Sequence, residues 1–423
     1  MHCDGPAGDH WTCDLLVIGA GPAGTAAAIE AARRGLDVVL VDKARFPREK
    51  CCGDGLTTGA LRHLDDLGLD PTLLPSWIEV DGVVLSGPDG RRCRFPLPTG
   101  SGAFAAVCRR QELDAALVDL ARSVGVPVLE QHEVTAVSLH DVGVDAVAGE
   151  ITFHARYAVA ADGMWSPTRK LLGVDGTGPD GDRYRGEWHA FRQYFTSVSP
   201  QAASELIVWF EPDLLPGYAW SFPLGDGSAN VGFGIVRDRG RSVQDMNRLW
   251  PDLLARPSIA GFLGPTATAE DPHRAWPIPA RLGRRPLSCG RVLFAGDAAA
   301  ATDPLTGEGI GQALETGRLA VRAVTASSDA RPDEAAAHYR SALRRTMIVD
   351  HALARSLSTI LARPSAANVA LRAAGATGWT RRNFARWLFE DYPRAALLTP
   401  GRWRRGLLAG PAAFTAERIG ARR

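Results

Sequence analysis

Cysteine pairs at metal or disulfide spacing are missing from this chain of 423 residues. Its seven cysteines, at positions 3, 13, 51, 52, 93, 108 and 289, are odd in number and form no Cys-x-x-Cys. That argues against a disulfide scaffold or structural zinc and for a reducing compartment. His154, His189 and His273 stand at no ligand spacing, so no metal is assigned. No basic, apolar, small-residue leader precedes Cys13, and no apolar run reaches transmembrane length, so the expected location is cytoplasmic or peripheral to a membrane. A formal net charge of only +1 leaves no global field to draw the chain to nucleic acid. Lysine is nearly absent, confined to Lys43, Lys50 and Lys170. With so much Arg, Ala and Gly, this reads as coding bias rather than function.

What is present begins with 45% apolar residues, enough for a large core, and a length that suits two or three domains. The most informative stretch is the first. Cys13 to Ile18 is an apolar run of strand type, followed by Gly19-Ala20-Gly21-Pro22-Ala23-Gly24, an alanine-rich helical stretch to Arg34, and a second run, Val38 to Val41, that ends in Asp42. Strand, glycine turn, helix, strand and terminal acid together spell a dinucleotide-binding βαβ unit. Gly19 permits the tight turn, Gly21 the approach of a pyrophosphate, and Gly24 the close seat of helix on strand. The helix N-terminus offers unpaired N–H groups to phosphate, and Asp42 can accept from a ribose diol.

Residues 43–55 are too rich in charge and glycine for a regular element, and a helix is expected over Leu56 to Leu67 with Gly68 as its C-cap. Val80 to Leu85 and Cys93 to Leu97 flank Gly87-Pro88-Asp89-Gly90, a hairpin signal. Leu113 to Ser123 has helical periodicity, and strands are expected at 126–129, 134–139 and 151–161, the last running into Asp162-Gly163. From Trp188 to Val236 strand-like runs dominate, and they are read as an antiparallel sheet. Arg291 to Ala295 returns as a buried strand before Gly296-Asp297, and Pro304 to Gly311 opens a long helix to about Ser327.

The expected fold is therefore α/β. A discontinuous Rossmann-like nucleotide domain (1–78, 101–185, 285–330) is threaded by an antiparallel-sheet substrate domain (hairpin 79–100, main body 186–284), with a helical region over 331–423. Between 363 and 423 twelve arginines face three acids, interleaved with Trp379, Phe384, Trp387, Leu388, Phe389, Trp403, Leu407 and Leu408. This stretch reads as a helical cap with a solvated basic face, or as a membrane-facing surface.

Together these segments resemble the FAD-dependent, PHBH-like flavoprotein monooxygenase superfamily with the glutathione-reductase type of FAD domain, and within it the geranylgeranyl reductase family. The resemblance covers about residues 13–330. It implies that Gly19, Gly21 and Gly24 hold the FAD pyrophosphate, Asp42 the adenosine ribose with Lys43 beside it, and that Arg110 reaches the cofactor from its helix. It further implies that Asp162 and Gly163 line the cofactor and the nicotinamide approach, that Asp297 holds the ribityl chain, and that Pro304, Gly307, Gly309 and Ile310 lie beside the isoalloxazine.

Three stretches carry the narrower likeness: Phe46 to Leu56 around Cys51-Cys52-Gly53-Asp54-Gly55, Pro216 to Gly227 with Tyr218-x-Trp220-x-Phe222-Pro223, and Pro304 to Ile310. Cys51 stands where the family commonly has proline. Tyr218, Trp220 and Phe222 share one strand face, and the likeness makes that face the substrate-cavity wall. The implied chemistry is reduction of the flavin by NAD(P)H or another donor, including a donor protein, then hydride delivery to a prenyl carbon of a hydrophobic substrate. An isolated alkene is a poor hydride acceptor, so a proton source is expected nearby, with Cys52 as the candidate to gate or protonate there. A monooxygenase acting on a small or carrier-bound metabolite is the alternative. A dehydrogenase is less favoured, and so is a halogenase, since Tyr218 and Phe222 depart from that group's pattern and lysines are scarce.

Overall fold

The computed structural model describes residues 10–174, 184–237, 243–328, 331–403 and 410–417. Residues 1–9, with Cys3, lie outside the described residues, as do Arg404, Arg405, Leu407, Leu408, Arg418, Arg422 and Arg423 of the basic C-terminal stretch.

Apolar runs of two to ten residues bounded by turns become a parallel sheet buried on both faces. Its parallel core, in spatial order, is Val292–Phe294, Ile151–Ala160, His10–Ile18, Val38–Val41 and Val128–Leu129. Helix Pro22–Arg33 follows the first strand and packs along helix Ile310–Thr325, so both chain-distant helices begin at the same edge of this sheet. A strand not anticipated from the sequence, Val144–Ala148, pairs antiparallel with both Val134–Leu139 and Ile151–Ala155.

The inserted sheet runs Thr268–Ala269, Trp188–Thr196, Ala229–Val236, Tyr218–Pro223, Ile207–Trp209, Gly82–Ser86 and Arg92–Pro96, with Arg274–Ile278 also paired to Trp188–Arg192. It is mixed rather than antiparallel, because Ile207–Trp209 pairs parallel with Gly82–Ser86. The hairpin at 82–96 is separated from its neighbour by more than a hundred residues, so no turn dictates the direction in which the two edges meet. One face of this sheet buries Phe191, Trp209 and Phe233 under helix Val243–Ala255, which contributes Trp250, and helix Pro257–Leu263. The other buries Val83, Leu85, Tyr194 and Trp220 with Ala385 and Phe389 from the C-terminal helices.

A third, small sheet joins Gly55–Leu56, Ala106–Val107 and Ile78–Glu79. It takes Leu56 out of the expected helix, which starts at Thr58 because the Thr57 hydroxyl accepts from the Ala60 N–H at 3.3 Å; Gly68 ends it in the left-handed region. Of the C-terminal helices, Pro332–Leu343 packs on helix Ile310–Thr325, Val349–Leu361 leads to the last pair, and Pro364–Gly375 and Gly378–Leu388 lie against strand Arg92–Pro96 of the inserted sheet. Among the described residues no helix is long and apolar enough to cross a membrane.

Candidate functional site

The strand from His10 ends at Ile18 in a turn that only glycine can make. Gly19 has φ 101°, and a Cβ there would lie 2.4 Å from the Ala161 carbonyl oxygen. A Cβ on Gly24 would lie 1.7 Å from the Gly19 oxygen, so the helix sits directly against the turn. Above Gly21 the space is open, and a Cβ there would meet only Arg48 Nη2 at 3.5 Å. A backbone cradle at a helix N-terminus, faced by a guanidinium, suits a pyrophosphate. Arg48 escaped the sequence reading, where it was one cation among several in an irregular loop.

Asp42 holds this turn in place: Oδ2 accepts from the Ala20 N–H at 2.6 Å and Oδ1 from the Ala44 N–H at 2.7 Å. Each oxygen keeps a lone pair for a ribose hydroxyl. Lys43 points to solvent, 3.9 Å from Glu133. Asp162 Oδ2 accepts from the Thr168 N–H at 2.8 Å, while its Oδ1 is buried without a partner among the described residues. Burial pushes this carboxyl up. Asp297 lies in the turn Gly296–Ala299 and counterbalances Lys50, whose ammonium is 3.8 Å from the Trp276 ring centre. Gly309 precedes the helix that begins at Ile310, and Gly307 lies beside the Tyr218 hydroxyl.

These groups open on one cavity of about 720 Å³. Gly19, Gly21, Asp42, Lys43, Arg110, Asp162, Gly163, Asp297, Gly307, Gly309 and Ile310 line it together with Cys52, Tyr218, Trp220 and Phe222. Gly24 and Pro304 are off its wall: Gly24 lies in the helix–strand contact and Pro304 is buried within its loop. The open cradle, the second helix N-terminus and the buried partnerless Asp162 oxygen fit FAD. Among the described residues no group of His, Cys, Asp and Glu is arranged to hold a metal.

Beyond the cradle, Tyr218, Trp220 and Phe222 form a strip with successive ring centres 5.9 and 6.0 Å apart. The Tyr218 hydroxyl donates to the Thr306 carbonyl. Trp220 Nε1 donates to Asn230 Oδ1 at 3.0 Å, and Asn230 Nδ2 donates both to the Cys52 carbonyl at 2.9 Å and to Asp54 Oδ2 at 2.8 Å. Tyr194 donates to the same Asp54 oxygen at 2.6 Å. The network therefore clamps the Cys51–Gly55 loop beneath the aromatic strip, and burial pushes Asp54 up to about 6. Arg110 forms a two-point pair with Asp114, both bonds 2.8 Å, and faces Cys52. Burial pushes the Cys52 thiol up, so it stays protonated at neutral pH. Cys51 and Cys52 are both free thiols, and burial pushes Cys51 up to about 12.

Two parts of the site were not read from the sequence. The far, apolar end of the cavity is built by Leu357, Leu361, Leu371, Phe384, Trp387 and Leu388 of the C-terminal helices, so that region walls the site as well as capping the fold. Behind Gly307 a charged cluster of Asp303, Glu308, Glu390 and Arg394 joins the loop before helix Ile310–Thr325 to the chain end.

The FAD binding domain family matches residues 12–326. A menaquinone reductase from Mycobacterium tuberculosis is 35% identical over 332 residues, 73% of this chain and 76% of that protein. A digeranylgeranylglycerophospholipid reductase from Methanocella arvoryzae is 28% identical, over 73% of this chain and 76% of its own. The crystal structure of a geranylgeranyl bacteriochlorophyll reductase-like protein from Thermoplasma acidophilum superposes with a TM-score of 0.74 at 21% identity, covering 93% of this chain and 99% of that one, and shares the fold. A cradle shaped for FAD, the family match across it and these relatives agree: the chain belongs to the geranylgeranyl-reductase-like family of FAD-dependent oxidoreductases.

Proposed function

We propose that the protein reduces carbon–carbon double bonds in a prenyl chain, such as a geranylgeranyl group or the isoprenoid tail of a quinone or lipid. The observation that carries this reading is the cavity itself. An aromatic strip sits against the cofactor cradle at one end, and apolar side chains from the C-terminal helices, leucines with Phe384 and Trp387, extend it at the other. FAD, when bound, supplies the hydride, with NAD(P)H or a donor protein as the source of electrons. Segments 1–78, 101–185 and 285–330 serve the cofactor, and 79–100 and 186–284 the substrate.

Tyr218, Trp220 and Phe222 hold the reacting double bond flat and exclude water, which a cation-like alkene carbon requires. Cys52 closes the cavity from below as a neutral thiol and gates it. Arg48 and the Pro22 helix N-terminus hold the pyrophosphate. The outer face of the C-terminal helices, where Ile360, Val369 and Trp379 are exposed near Arg363 and Arg382, rests on an anionic membrane from which the lipid enters.

The test is single turnover without oxygen: the reduced protein is mixed with a menaquinone or a geranylgeranyl lipid. Reoxidation with a gain of two hydrogens per saturated bond supports the reading. Inertness toward both lipids, with an oxygen atom entering a small aromatic substrate in air, would replace it with a monooxygenase.

A further inference from the structure

The cluster behind Gly307 holds more negative charge than its one cation can balance. The Arg394 side chain is 2% exposed; its Nε donates to Asp303 Oδ2 at 3.0 Å and its Nη2 to Glu390 Oε1 at 3.1 Å. Asp303 also accepts through Oδ1 from the Leu305 N–H, the Thr306 N–H and the Thr306 hydroxyl at 2.8–2.9 Å. So well satisfied, Asp303 stays ionised and uses up the arginine's charge. Among the described residues Glu390 has Gln312 at 2.9 Å and Thr57 at 3.3 Å besides its share of Arg394. His351, facing Asp303 from helix Val349–Leu361, is pushed down to about 4 by burial and is neutral. Two half-buried carboxyls, Glu308 and Glu390, are therefore left without a cation of their own, and keeping both as anions side by side is unfavourable.

Of the two, Glu308 lies on the cavity wall and Glu390 behind it. Glu308 Oε1 accepts from the Gly311 N–H at 2.7 Å, and its other oxygen makes no hydrogen bond among the described residues. The other proton-bearing groups on this wall are engaged with other partners. The Tyr218 hydroxyl is already given to Thr306, burial pushes the Cys52 thiol up, the Asp54 carboxyl is held by Tyr194 and Asn230 and Asp162 by the Thr168 N–H, and Lys50, pushed down by burial, lies over Trp276 near Asp297.

We infer that Glu308 is the acid of the reaction: it gives its proton to the less substituted alkene carbon as the tertiary carbon receives the hydride, and the proton is replaced from water after product leaves. This rests on the prenyl-chain reading. One C–H bond forms from the carboxylic acid and one from the hydride, and the π bond is consumed, so charge and electrons balance. Burial, with the charge of Glu390 next, pushes Glu308 up to about 8, and Glu390 itself is pushed up to about 7 by burial. The acid is thus present at neutral pH and lost as pH rises through about 8.

The experiment compares wild type, E308Q and E390Q in single turnover across pH, with pH-difference infrared spectra of the oxidised protein as isolated. Expected are a wild-type rate that falls above about pH 8 and an infrared band of a protonated carboxyl that titrates with it. E308Q should lack the band and reduce the prenyl chain slower by about 10²-fold or more, with reduction of the cofactor by its donor unchanged. E390Q, by removing the like charge, should move both limb and band to lower pH. A fully active E308Q overturns the inference, and so does an E390Q whose pH limb stays at the wild-type position. If E308Q fails to fold, a wild type without a carboxyl titrating near this pH overturns it instead. A wild type that leaves prenyl chains unreduced sinks the substrate reading and this inference with it, whereas prenyl reduction beside a fully active E308Q overturns this inference alone.

Discussion

Asp54 shows how one side chain can set the shape of a reaction floor. Its backbone is in the left-handed region at φ 66°, its carboxylate is fully buried, and its two side-chain donors come from strands of the inserted sheet. Burial penalises the anion, and the hydrogen bonds from Tyr194 and Asn230 offset only part of that, so the folded value of about 6 lies above the ordinary one. The consequence for stability follows from the direction: keeping Asp54 buried as an anion costs stability above about pH 6, and the cost fades as the group protonates below that. Tyr194→Phe removes one donor to the anion. We expect it to cost about 2 kcal/mol in urea denaturation at neutral or higher pH, and less below the Asp54 value, where the neutral acid needs the donor less. An equal loss at both ends of that range would show that Asp54 does not titrate as described.

Helices Pro22–Arg33 and Ile310–Thr325 both aim their N-termini into the cavity, and their crossing decides whether the two positive ends converge. The crossing is close because Gly317 has no side chain, and a Cβ there would lie 2.0 Å from the Ala23 oxygen. It is also pinned by Glu30, which pairs with Arg318 and Arg322 across the interface, each at 3.0 Å, and with Arg34 on its own helix. Burial alone would push Glu30 up, but hydrogen bonds from the three arginines outweigh it and hold the carboxyl down at about 2. A carboxylate depressed in the folded state stabilises fully above its unfolded value of about 4.3 and loses that contribution as pH falls toward 2. Glu30→Gln should therefore cost about 2 kcal/mol at neutral pH, with the gap from wild type closing through that acidic window in thermal or urea melts. A gap that does not change with pH would assign Glu30 a packing role instead.

The assembled molecule makes a cavity that no single segment contains. The cradle comes from the N-terminal unit, the aromatic strip from the inserted sheet, and the far wall from helices beyond residue 349. The outer side of those helices bears Ile360 at 56% exposure, Val369 at 64% and Trp379 at 63%. Burying one such side chain in a lipid interface contributes about 1.5 kcal/mol or more, roughly tenfold in partitioning. Trp379→Ala should lower binding to anionic vesicles by about that factor in co-sedimentation, with turnover of a short, water-soluble prenyl substrate unaffected. Unchanged vesicle binding would remove this face from the membrane contact.

What could be read from the linear chain was what local sterics and periodicity control. The Gly19 turn, the seat of Gly24 and the acid at Asp42 belong to one contiguous strand–helix–strand unit, so their order implies their geometry. Tyr218, Trp220 and Phe222 share a face because strand side chains alternate. The remaining features needed distant segments to meet. Asp54 and Asn230 are 176 positions apart, Glu308 is faced by Glu390 and Arg394 from the chain end, and Ile207–Trp209 joins the 82–86 strand in parallel across a long insertion. Arg394, Glu390 and Glu308 look like ordinary surface charges in one dimension. Only packing removes their water, and that desolvation turns an excess of carboxyl groups into held protons on a cavity wall.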